Sequence, residues 1–378
     1  MLLAIDWLKR GLYVSWKNIR IKLINVLLSC YSQCAGNLRN ITSFDKEHDF
    51  ERVVIFSTKR LGDFMFSTPA IRAVRRRYPA ARIILVTSQQ NSQLVEPGDN
   101  FDRVLPMDNH YSDMKKLVSV LRREKPQLAI ILHSRAPYDI IASIMSGCEF
   151  IFKDYYRNEP AGMEKWLSGI TRGQSKHIIQ RKLDLVSLLG SKPDNTEMFI
   201  PARIPAFDKK PGKILIGLQM GASKMTHRWP VEHFAGLAKL LIETSPLFHL
   251  ILIGSPAETE IAERFIARME EAHGAQFTDI TGKTTMPELL SVIDAMDLLV
   301  TNDTGPLHLA IAAKTKTISL FVLNSPDENG PYQNPELHKV IYRPPVENDP
   351  SRQLKHPMDR ITVEEVYNAV VEKCLSEG

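Results

Sequence analysis

Residues 52–87 read RVVIFSTKRLGDFMFSTPAIRAVRRRYPAARIILVT. Two short runs rich in β-branched residues, 52–57 and 82–87, enclose a polar turn and a helical stretch over 68–78. Each run is almost continuously apolar rather than alternating, which is the pattern of a strand covered by helices on both faces. A strand, a crossover helix and a second such strand make a βαβ unit of a parallel sheet.

The same grammar continues outward from this stretch. It predicts a short strand near 103–106, a helix over 112–124, a strand over 128–132, a helix over 137–146 and a helix over 176–190 stopped by Gly190. Around 191–213 the periodicity lapses into a polar stretch with Pro201, Pro205, Pro211 and Gly212, the composition of an interdomain linker. A second alternation then predicts strands at 214–219, 248–253, near 277–280, 298–302 and 317–322, with helices at 231–244, 256–272, 287–296 and 305–313. A last amphipathic helix is expected over 361–375. The fold class is therefore α/β, two Rossmann-like doubly wound domains with an N-terminal amphipathic helical extension. The expected divisions are an extension over 1–50, a first domain over 51–200, a linker over 201–212, a second domain over 213–345, and a C-terminal segment over 346–378 whose helix packs back toward the first domain. Ligands of such sheets bind outside the carboxyl ends of the strands, in a cleft expected here between the two domains.

The formal charge of +5 over 378 residues is unevenly placed. Residues 1–42 hold Lys9, Arg10, Lys17, Arg20, Lys22 and Arg39 against Asp6 alone, so this leader carries the whole excess and the remainder is balanced. A balanced folded body excludes a generally basic nucleic-acid binder. No run approaches the ~18 apolar residues of a membrane span. Charges interrupt the leader too often for a signal peptide, so the protein is expected in the cytoplasm. Cys30, Cys34, Cys148 and Cys374 are too few and too scattered for a disulfide framework or a zinc site.

Chemistry is to be sought in the loops after strands. Thr58-Lys59-Arg60-Leu61-Gly62-Asp63 follows the first strand, and there Asp63 either takes a proton from a hydroxyl nucleophile or caps the next helix. Thr301-Asn302-Asp303-Thr304-Gly305-Pro306-Leu307-His308 runs from a buried strand into a helix. It is a well-made helix start, and it also offers free N–H groups at the positive end of a helix dipole, the makings of a diphosphate cradle. Gly221-Ala222-Ser223-Lys224-Met225-Thr226-His227-Arg228-Trp229-Pro230 and Gly254-Ser255-Pro256-Ala257-Glu258 follow two further strands of the same sheet. Three such loops along one edge can surround a nucleotide. Two better-known nucleotide signatures are missing: no G-x-G-x-x-G follows the first strand, and Gly282-Lys283-Thr284 has Phe277 where a phosphate-binding loop needs glycine. No acidic cluster has metal-ligand spacing, so no metal is expected.

In combination these segments resemble the lipopolysaccharide heptosyltransferases, glycosyltransferase family 9, over about residues 52–345. The carrying motifs are Leu61-Gly62-Asp63 with Thr68-Pro69-Ala70, Gly221-Ala222-Ser223 with Arg228-Trp229-Pro230, Gly254-Ser255-Pro256, and Asn302 to Ala310. The resemblance implies a GT-B fold and an inverting, metal-independent transfer of heptose from ADP-heptose, the donor substrate, to an inner-core sugar of lipopolysaccharide, with no further cofactor. It implies that Asp63 is the general base and that Asp303 binds the donor sugar. Thr304, Gly305 and His308 would lie near the diphosphate, with Ser223, Lys224, His227 and Arg228 also on the donor. Glu258 would hold the ribose and Met286 the adenine. Lys59, Arg60, His133 and Arg135 are acceptor candidates. The family usually has lysine where this chain has His227, which leaves two alternatives open: another activated sugar as donor, or a non-catalytic sugar-nucleotide-binding or assembly protein.

On a helical projection of the leader, Ile5, Leu8, Leu12, Trp16, Ile19, Leu23 and Leu27 share one side, while Trp7, Tyr13, Ile21 and Ile24 fall outside the stripe. The stripe suits a basic interfacial helix on an anionic membrane surface, placing the enzyme peripherally on the inner-membrane cytoplasmic face. The residues outside it suit a helix packed on the protein itself.

Overall fold

The computed structural model describes the chain except residues 1, 40–42, 109, 157–158, 174, 210, 270–275, 346–355 and 376–378; side chains 2–18 also lie outside the description. The chain divides into two compact units, Met1–Asn195 and Thr196–Gly378.

In the first unit a long helix α1 (Leu2–Ala35) precedes β1 (Arg52–Ser57), α2 (Leu61–Met65), α3 (Thr68–Arg77), β2 (Arg82–Thr87), β3 (Arg103–Pro106), α4 (Tyr111–Glu124), β4 (Leu128–His133), α5 (Tyr138–Met145), β5 (Phe150–Asp154), β6 (Gly169–Thr171) and α6 (Ile178–Ser187). The second unit holds β7 (Ile214–Gln219), α7 (Val231–Thr244), β8 (Phe248–Ile253), α8 (Thr259–Ile266), β9 (Phe277–Asp279), α9 (Met286–Ala295), β10 (Leu298–Asn302), α10 (Gly305–Ala313), β11 (Lys316–Phe321), α11 (Pro326–Asn329), β12 (His338–Tyr342) and α12 (Val363–Leu375).

Each unit is built on a six-stranded sheet, ordered β3-β2-β1-β4-β5-β6 and β12-β11-β10-β7-β8-β9, with every strand pairing parallel. The strands read as apolar runs because both faces are covered: Val53 to Phe56 and Leu128 to Leu132 are fully buried, as are Leu298 to Val300. Strand order reverses between β1 and β4 in one sheet and between β7 and β10 in the other. These switch points open a crevice at the carboxyl ends.

Three strands and a short helix escape the hydrophobic pattern. β5 contains Lys153 and Asp154, both 1% exposed. Lys153 Nζ meets Asp139 at 2.6 Å and Glu159 at 3.1 Å, while Asp154 pairs with Arg181 at 3.0 Å. Buried charge inside a strand is tolerated only when paired, and in the sequence it reads as a loop. β6 has only three residues, β12 is an edge strand of mixed burial, and α2 is a single turn.

The predicted linker is tied to the second unit. Met198 N donates to Gln333 Oε1 at 2.6 Å, the Pro205 carbonyl accepts from Ser291 at 2.7 Å, and Lys209 pairs with Asp297. α12 lies on α7, and Val366, Ala369 and Val370 are buried in the second unit's own core.

The described part of α1 also redistributes the projected faces. Ile21 and Leu28, outside or beside the stripe, enter the first unit's core with Met114, Leu117 and Trp166. Ile19, Leu23 and Leu27, on the stripe, remain 46%, 60% and 68% exposed. The upstream part of the stripe, Ile5 to Trp16, lies outside the described side chains.

Candidate active site

In the first unit the switch point places the loop after β1 beside the loop after β4. Thr58 N donates to the His133 carbonyl at 2.8 Å, and the Thr58 and Ser134 hydroxyls are 2.8 Å apart, which locks the two loops together. Asp63 sits in the first turn of α2. Its side chain caps neither α2 nor α3, so the capping alternative does not describe it. The carboxylate is 31% exposed, and its Oδ1 lies 3.3 Å from His133 Nδ1.

Burial pushes the Asp63 carboxyl above the ordinary aspartate value, against the pull of Lys182, Lys59 and Arg60. Burial, and after it the charges of Lys182, Lys59, Lys153 and Arg181, push His133 well below its ordinary value, so the imidazole is neutral at pH 7. Its ring stacks on Tyr156, with centroids 4.8 Å apart, and the Arg181 guanidinium covers Tyr156 at 4.2 Å. Lys182 is completely buried on α6. It donates to the Leu132 carbonyl at 3.0 Å and to the Tyr156 hydroxyl at 3.4 Å. Desolvation pulls its ammonium down to about 8.

The arrangement is a carboxylate of heightened basicity, open to solvent on one side and backed by a neutral imidazole and fixed cations. Asp63 and His133 meet, and Lys59 and Arg60 lie close enough for their charge to act on Asp63. Arg135 is exposed in the loop past Ser134, and among the described residues no ion pair or hydrogen bond joins it to the cluster. Lys182 and Tyr156 were missed. The only signal for Lys182 was a basic residue on the otherwise apolar face of the helix predicted over 176–190.

In the second unit three loops surround the β7/β10 switch point. Asn302, fully buried at the end of β10, pins the loop after β7: its amide nitrogen donates to the Met220 and Gly221 carbonyls at 3.1 Å each, and its oxygen accepts from Trp229 N at 3.0 Å. Trp229 is in turn anchored through its indole N–H to the Ile361 carbonyl at 2.9 Å. Within this loop Ser223 and Lys224 are exposed, and Arg228 donates to the Ala222 carbonyl at 2.8 Å. Gly221 is required by close approach, since a Cβ there would fall 1.4 Å from Glu258 Oε1. Glu258 is held from the other side, its Oε2 accepting from Ser255 N at 2.6 Å.

Thr304 stands at the N-cap of α10 without a side-chain cap. Gly305 and Pro306 follow it, so the helix presents uncapped N–H groups at its positive end. The Asp303 carboxylate accepts from Asn324 at 2.8 Å and from Asn329 at 3.1 Å, and shares a narrow crevice with His227. Burial lowers His227 below its ordinary value despite the Asp303 charge. His308 is buried one turn into α10. Met286 opens α9 past β9, two strands away from β7.

Comparison with known proteins agrees with this construction. The profile of "Glycosyltransferase family 9 (heptosyltransferase)" matches residues 170–359, half of the chain. The chain belongs to glycosyltransferase family 9. The lipopolysaccharide heptosyltransferase 3 of Escherichia coli is 24% identical to this family 9 chain over 69% of it and 80% of the relative. A lipooligosaccharide heptosyltransferase 2 of Campylobacter jejuni is 26% identical over 75% and 84%. Among solved structures, a family 9 glycosyltransferase from Veillonella parvula superposes with a TM-score of 0.73 at 21% identity, covering 88% of this chain and 99% of that one. The ADP-heptose lipopolysaccharide heptosyltransferase II of E. coli gives 0.71 at 20% identity, covering 86% and 99%. The fold is thus GT-B, with two Rossmann-like domains. As a family 9 member the protein is a glycosyltransferase, which sets aside the non-catalytic alternative.

Proposed function

We propose that this glycosyltransferase moves heptose from ADP-heptose to an inner-core sugar of lipopolysaccharide, with inversion and without a metal, and that Asp63 is the general base. The observation that carries the reading is the Asp63 carboxylate itself: raised in basicity by burial, still partly open, uncommitted to a cap, and seated at a switch point. The names of the relatives support heptose and lipopolysaccharide.

The proposed step balances simply. An acceptor hydroxyl gives its proton to Asp63 while its oxygen bonds to the anomeric carbon. The bond from that carbon to the diphosphate breaks, and ADP leaves with the electron pair. Developing negative charge on the diphosphate would be met by the N-terminus of α10 at Thr304 and Gly305, with Lys224 and Arg228 supplied by the loop that Asn302 pins to the same strand end. Asp303 would take sugar hydroxyls, Glu258 the ribose and Met286 the adenine. Lys59, Arg60 and His133 would receive the acceptor, with Arg135 at the periphery. The acceptor is lipid-linked, so residues 1–42 would meet an anionic membrane surface on the cytoplasmic face of the inner membrane.

The test combines the full-length protein with ADP-heptose and a panel of truncated lipopolysaccharides, following ADP release, mass gain and anomeric configuration of the product. Turnover that survives Asp63→Asn removes the base. A second reading, transfer of a different sugar, is favoured by His227. Burial keeps it neutral at pH 7, where a lysine would carry a fixed charge. A screen across ADP-, GDP- and UDP-sugars decides between the two by which donor turns over fastest.

A further inference from the structure

Helix α1 rests on the first unit's core through Ile21 and Leu28. It is tied at intervals, by Trp166 Nε1 donating to Asn25 Oδ1 at 2.7 Å and by Arg20 donating to the Tyr138 hydroxyl at 2.7 Å. Beside this contact α1, α4 and α5 border a half-open groove of about 940 Å³. That volume is in the range of a ligand pocket.

The groove has two kinds of lining residue. Ile24, Leu27 and Leu28 from α1 with Met114, Val118 and Met145 make up its apolar lining. Arg20, Lys115, Arg122 and Arg123 line it as well; Arg20 donates to the Tyr138 hydroxyl and Arg122 to the Met145 carbonyl and the Tyr31 hydroxyl, and among the described residues no carboxylate pairs with any of the four. Tyr31, Tyr111 and Tyr138 line it too, with the Lys115 ammonium 4.7 Å from the Tyr111 ring. An occupant must therefore be a long apolar body with an anionic head. Leu27 belongs both to this lining and to the exposed ridge of Ile19, Leu23 and Val26, of which the last is 60% exposed. A ridge that enters a bilayer beside a groove that receives one of its lipids accounts for both features. The basic excess of residues 1–42 supplies the matching charge.

We infer that the groove beside α1 takes an acyl chain of an anionic bilayer phospholipid, whose phosphate is held by Arg20, Lys115, Arg122 and Arg123. This rests on the membrane contact proposed above and goes further, because it assigns a built lipid site rather than a charged surface.

The experiment uses the full chain with vesicles of phosphatidylglycerol or of phosphatidylcholine, each doped with a phospholipid carrying a photoactivatable group near the end of its acyl chain. Flotation measures binding, and mass spectrometry maps the crosslinks. Expected are crosslinks within residues 24–31 and 114–145 from phosphatidylglycerol. Lys115→Glu with Arg123→Glu, both at exposed positions, should abolish them and weaken flotation by about tenfold or more. Met114→Trp, which fills the groove, should lose the crosslinks while keeping the surface charge. Thermal unfolding of each variant verifies that it is folded. Flotation with crosslinks confined to residues 1–19, unaffected by the rim reversal, overturns the groove and leaves the membrane contact standing. No flotation of the intact chain overturns both, and crosslinks between two protein copies across the groove assign it to a self-interface instead.

Discussion

Burial and the neighbouring cations pull the Asp63 carboxyl in opposite directions, and burial wins. A carboxyl whose pKa rises on folding favours its protonated form. That stabilisation is complete below the unfolded value and is lost as pH rises through the folded one. At pH 7 the ionised base is thus a cost to stability kept for chemistry. Asp63→Asn, which mimics the neutral form, is expected to raise the thermal midpoint at pH 7 while lowering kcat by about 10²–10⁴-fold. Calorimetry and a turnover assay on one preparation check both halves. The pH profile follows from the same balance. Activity should fall as the medium acidifies through a value above the ordinary aspartate one. Lys182→Met removes a charge that lowers Asp63, so its acid limb should move to higher pH. An unmoved limb would mean that Lys182 does not reach the base. Asp63 stood out as a carboxylate in a glycine-containing turn after a buried strand, but position alone left a base and a helix cap open, and the family resemblance was what pointed to the base. Lys182 was not readable, because its partners Leu132 and Tyr156 lie 50 and 26 residues away in the chain.

Among the elements, the loops after β7 and β10 work as one piece because Asn302 bonds three backbone groups of the neighbouring loop. Asn302→Ala should leave buried backbone groups unpaired and cost about 2–4 kcal/mol, read from urea unfolding. It should raise the donor KM more than it lowers kcat. The close approach of Gly221 predicts a milder effect. Gly221→Ala forces Glu258 out of its Ser255 cap, at about 1 kcal/mol, and a donor titration should show weaker binding. Element types were legible wherever burial on both faces made the pattern uniform. β5 was hidden since its Lys153 and Asp154 satisfy one another's environment only through Asp139, Glu159 and Arg181, which arrive from other elements.

Taken whole, the molecule carries two sheets with separate hydrophobic cores, so folding energy is stored in two places. Calorimetry should resolve more than one transition. ADP should raise the one belonging to residues 196–378 and leave the other in place, with hydrogen exchange identifying which is which. A uniform shift of all exchange rates would contradict separate cores. The sequence by itself determined the two βα alternations, the placing of Asp63, Asp303 and Thr304 after strands, and the segregation of the basic excess into residues 1–42. Those properties are local, set by hydrophobic period, turn chemistry and charge along the chain. Only the tertiary structure decided that Asp63 is desolvated beside a neutral His133, that Lys182 is buried behind it, that α12 packs into its own unit's core, and that α1 borders a groove. Each of these depends on which distant surfaces meet, and burial, which sets both the basicity of a carboxylate and the fate of an apolar face, is a property of the meeting and not of the residue.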